Sequence, residues 1–354
     1  MRHVLVTGGA GFIGSALVKR LHSEGYKVDI VDDLSSGFVK LVDDLPLDKI
    51  TYNEASGKLE DFTEVEGAYS GQTPVMQYCQ SDQDTVLFMH SSFAHYDILE
   101  RIRSGMYDII FHQAAVPRVA YSVEEPVATT QTNLLDTLSL FKAAADKNVP
   151  VVWASSSSVY GGASTLPTTE DMRGQNLPKS PYAMQKYHLE DYAKLFGELY
   201  GLKSVGLRYF NVFGPGQYAG SPYSTAVSAW CHAIKSGEYL RSDGDGEQTR
   251  DMCYIDNVVD ANVKAGNKIL SGELFGRDAL CFNIACGDRV SNNQILAHLS
   301  DRFGSLVKIH HAPERVGDVK HTQADISAAQ EALDYEVLVS FWDGLEKTLE
   351  WWQI

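Results

Sequence analysis

No stretch of this 354-residue chain is apolar for long enough to cross a bilayer. No signal peptide precedes the first apolar run, because Met1-Arg2-His3 leads straight into a strand pattern. The expectation is a cytoplasmic protein with no membrane partner. Cysteine is scarce and unpaired in pattern: Cys79, Cys231, Cys253, Cys281 and Cys286 make an odd count with no CxxC spacing. That argues against a disulfide framework and predicts no metal site. Basic residues are also short, 30 Lys and Arg against 46 Asp and Glu, for a formal charge of −16. A phosphate backbone needs a basic footprint, so nucleic acid is excluded as a partner. A few local arginines would still suffice for a small phosphorylated substrate.

What is present is 44% hydrophobic residues, enough for a large α/β domain and a smaller lobe. Short β runs alternate with helical patterns in the N-terminal half, as in a parallel sheet wrapped by helices. The pattern predicts strands at His3–Thr7, Lys27–Asp32, Thr85–His90, Ile109–Gln113, Val151–Ser156 and Ser204–Arg208. It predicts helices at Phe12–Ser23, Val127–Asn148 and Tyr182–Tyr200. Asp33 to about Asp84 breaks the rhythm and reads as an insertion, with some helix around Gly37–Asp44. Further helices are expected at Ala226–Ser236, after Asp256, at Asn292–Phe303 and at Phe341–Trp352. The fold class is therefore a doubly wound parallel sheet of Rossmann type with a smaller C-terminal α/β lobe. Residues 1–210 with part of 250–285 form the dinucleotide domain, interrupted near 34–84, and 211–354 mainly form the substrate lobe.

Thr7-Gly8-Gly9-Ala10-Gly11-Phe12-Ile13-Gly14 follows the first strand and opens the first helix. Such a turn needs positive φ and bare backbone, so that a pyrophosphate can approach the helix N-terminus. Asp32 ends the second strand 18 residues after Gly14. A carboxylate there accepts hydrogen bonds from ribose hydroxyls and repels a 2′-phosphate, which favours NAD over NADP.

Tyr182-Ala183-Met184-Gln185-Lys186 places a phenol and an ammonium on one helical face. The ammonium is expected to lower the phenol's pKa, so that Tyr182 can take a proton from a sugar hydroxyl and return it. Val151 to Ser158 is an apolar strand ending in four serines, and ligands sit at that end of a parallel sheet.

These blocks together resemble the extended short-chain dehydrogenase/reductase family, and within it the NAD-dependent UDP-sugar 4-epimerases that act on UDP-N-acetylglucosamine. The resemblance runs through TGGAGFIG, HQAA at His112–Ala115, SSSSVYG, SPYAMQK, LRYFNVFGP at Leu207–Pro215, RDMCYIDNVVDA at Arg250–Ala261 and ERVGDVKHTQAD at Glu314–Asp325. It implies that Tyr182 is the base and acid, that Lys186 holds the nicotinamide ribose, and that Ser156 assists. It implies cofactor contacts from Gly8, Gly11, Phe12, Ile13, Gly14, Asp32, Phe93, Gln113, Ala114, Ala115, Lys186 and Tyr209. Ser92 stands where the family usually has an adenine-contacting Asp. It implies substrate contacts from Ser156, Ser157, Tyr182, Asn211 and Asp318, with Arg250 and Arg315 clamping the diphosphate. Thr322 falls where a small residue leaves room for an N-acetyl group.

Ser157 and Ser158 occupy positions where the related 4,6-dehydratases carry an Asp-Glu pair. Hydroxyls there lack the acid needed to eliminate water, which favours C4 epimerisation. The implied activity is interconversion of UDP-N-acetylglucosamine and UDP-N-acetylgalactosamine, with the simple hexoses UDP-glucose and UDP-galactose as further candidates, through a 4-keto sugar. A UDP-glucuronate 4-epimerase is the alternative within enzymes. A non-catalytic NAD-binding redox sensor is the alternative outside them. The resemblance also implies a homodimer.

Overall fold

The computed structural model describes residues 1–47, 85–217, 219, 225–274, 281–313 and 319–354, together with the backbone of four short strands within 48–84. Among the described residues the central sheet has nine strands. In chain order they are β1 (His3–Thr7), β2 (Lys27–Asp32), β3 (Thr63–Val65), β4 (Met76–Gln80), β5 (Val86–His90), β6 (Ile109–His112), β7 (Val151–Ser156), β8 (Ser204–Tyr209) and β9 (Cys281–Ile284). Their spatial order is β9-β8-β7-β6-β1-β2-β5-β4-β3. The seven strands from β9 to β5 are parallel, and β4 and β3 pair antiparallel at the edge.

Successive strand residues point to opposite faces, and both faces here are covered by helices. On β1, Val4 and Val6 enter one buried cluster with Leu17 and Leu21, while Leu5 enters the other with Leu99 and Phe141. The helices are α1 (Phe12–Ser23), α2 (Tyr96–Arg103), α3 (Val119–Glu124), α4 (Pro126–Thr130), α5 (Thr137–Asp146), α6 (Pro181–Tyr200), α7 (Ala226–Ser236), α8 (Ile255–Ser271), α9 (Asn292–Phe303), α10 (Ser327–Leu333) and α11 (Phe341–Trp352). Local chemistry sets the ends of α6. The Ser180 hydroxyl accepts from Ala183 N at 3.1 Å, Pro181 opens the first turn, and Gly201 closes the helix at φ +70. Helix α8 lies so close to the sheet that a Cβ on Gly266 would sit 2.8 Å from the Phe111 ring.

Three expectations change. The helix expected across Val127–Asn148 is α4, then a π-helical segment Gln131–Asp136, then α5. Helices α2 and α3 have no counterpart in the sequence pattern. The helix expected at Gly37–Asp44 is a single 3₁₀ turn, Val39–Leu41, where Val42 and Leu45 reach the core. Beyond it, the backbone of 63–65 and 76–80 widens the sheet rather than looping away from it.

The C-terminal part of the chain is built from short pairings. Tyr239–Asp243 runs parallel to Lys308–Ala312, and Thr249–Arg250 antiparallel to Val290–Ser291. Helices α7, α9 and α11 contribute Trp230, Leu296 and Leu345 to the same core as β1.

Candidate active site

The strand order reverses between β1 and β6, and a crevice opens there at the carboxyl ends of the strands. The turn after β1 and the segment after β6 form its floor. Gly8 has φ +68, and a Cβ there would lie 2.7 Å from the backbone of Ala114. A Cβ on Gly14 would lie 2.0 Å from the Gly8 carbonyl. The glycines are thus required by packing as well as by backbone conformation. Gly11 caps α1 with no side-chain hydrogen bond, which leaves the first turn turned toward the crevice.

The crevice is a cavity of about 950 Å³, within the range of small-ligand and cofactor sites. Gly8, Gly11, Phe12, Ile13 and Gly14 line one part of its wall. Asp32 lines it further along, with Asp33, Ser35 and Ser36 beside it. Its carboxylate accepts from Ala10 N at 2.9 Å and from Leu34 N at 2.8 Å, one bond to each oxygen. The carboxylate still has lone-pair capacity for a hydroxyl donor. Burial pushes the Asp32 carboxyl up to about 6, against the hydrogen bonds that hold it down. A bare-backbone cradle at a helix N-terminus and a ribose-type acceptor in one cavity fit a dinucleotide.

Ser156, Tyr182 and Lys186 line the same cavity. Ser156 ends β7 and accepts from Ser158 N at 3.2 Å and from the Ser158 hydroxyl at 2.9 Å. Tyr182 stands in the first turn of α6, its backbone N–H held by the Ser122 hydroxyl of α3 at 3.0 Å. Lys186 is 2% exposed and donates to the Ala154 carbonyl at 2.7 Å. Burial pushes the Tyr182 phenol up to about 12, and a hydrogen bond with Ser156 works against that rise. The group that eases Tyr182 is the Ser156 hydroxyl, while the Lys186 ammonium is engaged with the strand backbone. Burial also pushes Lys186 down to about 8.

Several supporting residues are not among the site candidates that the sequence singles out. Asn133, buried in the π-helical segment, receives Val116 N at 2.7 Å and donates to Val116 O and to Gln185 of α6. The extra backbone residue of a π turn is a common device at functional sites. His112 at the end of β6 pairs its ring nitrogens with Thr7 at 2.7 Å and Thr137 at 3.1 Å, and burial holds it neutral, down to about 3. Arg118 and Lys179 put two cations in the cavity wall. No spacing rule singles out either.

The other predicted residues are placed as follows. Phe93, Gln113, Ala114, Ala115 and Tyr209 line the cavity, and Tyr209 donates to Gln113 at 2.9 Å. Ser91 rather than Ser92 lines it; the exposed Ser92 hydroxyl accepts from Ala94 N. Ser157, Asn211, Arg250 and Thr322 are outside that wall. Asn211 donates to the Asp251 carbonyl at 3.2 Å and to Thr322 at 3.4 Å, and Arg250 donates to the carbonyls of Thr249 and Lys320. Buried Asp251 ties this cluster to the lobe by accepting from the N–H groups of Cys286, Gly287 and Ala324. Arg315 and Asp318 lie outside the described residues.

Comparison with known proteins agrees with this geometry. Residues 4–277 match the family model described as the NAD dependent epimerase/dehydratase family. The UDP-glucose 4-epimerase of Mycolicibacterium smegmatis is 31% identical over 353 residues, covering 99% of this chain and 98% of that protein. The UDP-glucuronate 4-epimerase of Thermodesulfobacterium geofontis is 32% identical, covering 99% and 96%. Among solved structures, the UDP-N-acetylglucosamine 4-epimerase of Methanobrevibacter ruminantium M1, in complex with UDP-N-acetylmuramic acid, superposes with a TM-score of 0.80 at 31% identity over 99% of this chain and 98% of that one. The chain belongs to the NAD-dependent epimerase/dehydratase family, as an enzyme built to work with bound NAD.

Proposed function

We propose that the chain is a UDP-sugar 4-epimerase whose substrate is a UDP-N-acetylhexosamine. The observation that supports this reading best is a single cavity shared by the glycine turn and by Ser156, Tyr182 and Lys186, with hydroxyls and no carboxylate at positions 157 and 158. Tyr182, in the phenolate form that the positive charge of oxidised NAD would favour when bound, takes the proton of the C4 hydroxyl and later returns it. Ser156 shares that proton's hydrogen bond and orients the oxygen. Lys186, anchored at Ala154, presents its remaining N–H donors to a ribose. NAD, when bound, supplies reversible hydride exchange at C4. The crevice holds the sugar dry and oriented while both of its faces are presented in turn.

Thr322 leaves room for an N-acetyl group, and Arg250 with Arg315 serves the diphosphate. UDP-glucuronate is the second reading, and the cations Arg118 and Lys179 favour it because they would face a carboxylate. Two copies pair in this reading through the open faces of α6, where Leu195 is 42% and Leu199 62% exposed.

The test is turnover with no added NAD, on UDP-N-acetylglucosamine, UDP-glucose and UDP-glucuronate separately, with products resolved by C4 configuration. Best conversion of the N-acetyl sugar supports the proposal. Best conversion of the uronate moves the assignment to the second reading. No conversion of any, with or without NAD, refutes the activity.

A further inference from the structure

Behind the reacting groups lies an ionic cluster that the chemistry above does not use. Glu190 of α6 is four residues after Lys186 and eight after Tyr182, so the three share one face of the helix. It is 6% exposed. The Ser155 hydroxyl donates to Glu190 Oε1 at 2.6 Å. Arg208 grips both carboxylate oxygens, Nε to Oε1 at 2.9 Å and Nη2 to Oε2 at 2.8 Å. Arg208 is the direct cross-strand partner of Ser155 in the β7–β8 register. Arg173 brings its Nε within 2.7 Å of Oε2, a close ion pair that lacks hydrogen-bond geometry.

Three consecutive residues of β7 are therefore held from α6. Lys186 holds the Ala154 carbonyl, Glu190 holds the Ser155 hydroxyl, and Tyr182 meets Ser156. We propose that Glu190 is a positioning residue for the reaction: through Ser155 and Arg208 it locks the register of α6 against β7, and its carboxylate is the counter-charge that keeps the Lys186 ammonium in place. The inference rests on the reaction proposed above.

The electrostatics run in the same direction. Burial pushes Lys186 down to about 8, and Glu190 is the group that opposes this. Among the described residues, the other groups facing Lys186 supply no negative charge. They are neutral His112 of β6, the Ala154 carbonyl of β7, and the protonated Tyr182 phenol. Glu190 itself faces Arg208 of β8, Arg173, the Ser155 hydroxyl and the half-buried Cys281 thiol of β9. Asp191 draws on Arg173 from outside at 2.7 Å, and the Glu170 carbonyl and Tyr160 hydroxyl take the remaining face of Arg208.

The experiment compares the wild type with Glu190→Gln, with the double variant Glu190→Gln/Arg208→Met, and with Ser155→Ala. The double variant guards against misfolding, because removing one partner of a buried pair strands the other, whereas replacing both is often neutral. Two readouts are taken: the pH profile of C4 conversion, and the pH titration of the Lys186 side-chain NMR signal, assigned with Lys186→Arg. In folded Glu190→Gln or the double variant, the alkaline limb and the Lys186 titration both move toward acid by about one pH unit, a roughly tenfold change in proton affinity. In Ser155→Ala, kcat falls by about tenfold at unchanged KM, as expected for lost alignment. A folded double variant with wild-type pH profile and Lys186 titration overturns the counter-charge role. A Ser155→Ala enzyme with wild-type kcat overturns the register lock. Failure of the wild type to convert any UDP-sugar refutes the activity instead, and the Lys186 titration still decides the role of Glu190.

Discussion

Replacing Gly14 by alanine should separate cofactor binding from folding. The added Cβ would stand 2.0 Å from the Gly8 carbonyl and 2.8 Å from the Gly9 Cα, both backbone atoms in the turn itself. A tolerable contact needs about 1 Å more, which no side-chain rotation can supply, so α1 must back away from the turn. Overpacking of this kind costs about 1–3 kcal/mol of stability, which a domain with so large a core should survive. The cofactor site has no such reserve. A displacement of about 1 Å in a group that orients a ligand can cost about a hundredfold. Gly25→Ala is the control. Gly25 has φ +83 but nothing within 4 Å of an added Cβ, so it incurs only the left-handed backbone penalty of about 1–2 kcal/mol. The assay is NAD content after purification, NAD affinity by calorimetry, and thermal unfolding of the wild type and both variants. Gly14→Ala should fold with a lowered melting temperature and lose NAD. Gly25→Ala should lose comparable stability and keep NAD. Gly14→Ala with wild-type NAD affinity would refute the reasoning, because it would mean that the close approach of α1 to the turn does not hold the dinucleotide.

Tyr182→Phe should retain NAD while conversion drops by about 10²–10⁴-fold, the usual worth of a positioned acid-base group; near-normal turnover would remove Tyr182 from the reaction. Thr322→Tyr should displace a hydroxyl that accepts from Asp251 N and Asn211, and should lower kcat/KM for UDP-N-acetylglucosamine by about 10–100-fold relative to UDP-glucose. An unchanged ratio would show that position 322 does not face the C2 substituent. His112 is buried and held down to about 3, below its ordinary value of 6.5. Between those values the unfolded chain binds a proton that the native state refuses, so this contribution is present above pH 6.5 and lost as pH falls toward 3, by about 1.4 kcal/mol per pH unit. His112→Gln should therefore gain stability relative to the wild type as pH drops from 6.5 to 4, measured by urea unfolding; a difference that does not change with pH would contradict a buried neutral His112.

Near-neighbour chemistry makes much of this protein legible in its sequence. The glycine turn, Asp32 and the Tyr182–Lys186 pair each follow from short-range rules: a backbone position that tolerates no Cβ, an acid at a strand end, two residues one helical turn apart. The sheet strands are readable because those buried on both faces are continuous apolar runs, as in Val4-Leu5-Val6 and Val151-Val152-Trp153. The helix expected at Val127–Asn148 fails in its middle because a π turn, with Asn133 clamped to Val116 and Gln185, overrides local helical propensity through tertiary hydrogen bonds.

Sequence suffices for the fold class and the preference for NAD, and it singles out Tyr182 as the candidate acid-base phenol, because each depends on residues close together along the chain. Tertiary packing assigns the different duties of the four consecutive serines. Ser155 turns inward to Glu190, Ser156 faces the cavity, and Ser158 donates to Ser156. Packing also determines that Lys186 spends one hydrogen bond on the Ala154 carbonyl, that Arg118 and Lys179 join the cavity wall, and that the segment after Asp33 adds strands to the sheet edge. The reason is the same in each case. Burial, ion pairing and strand register arise between residues tens to hundreds of positions apart, and no local pattern records them.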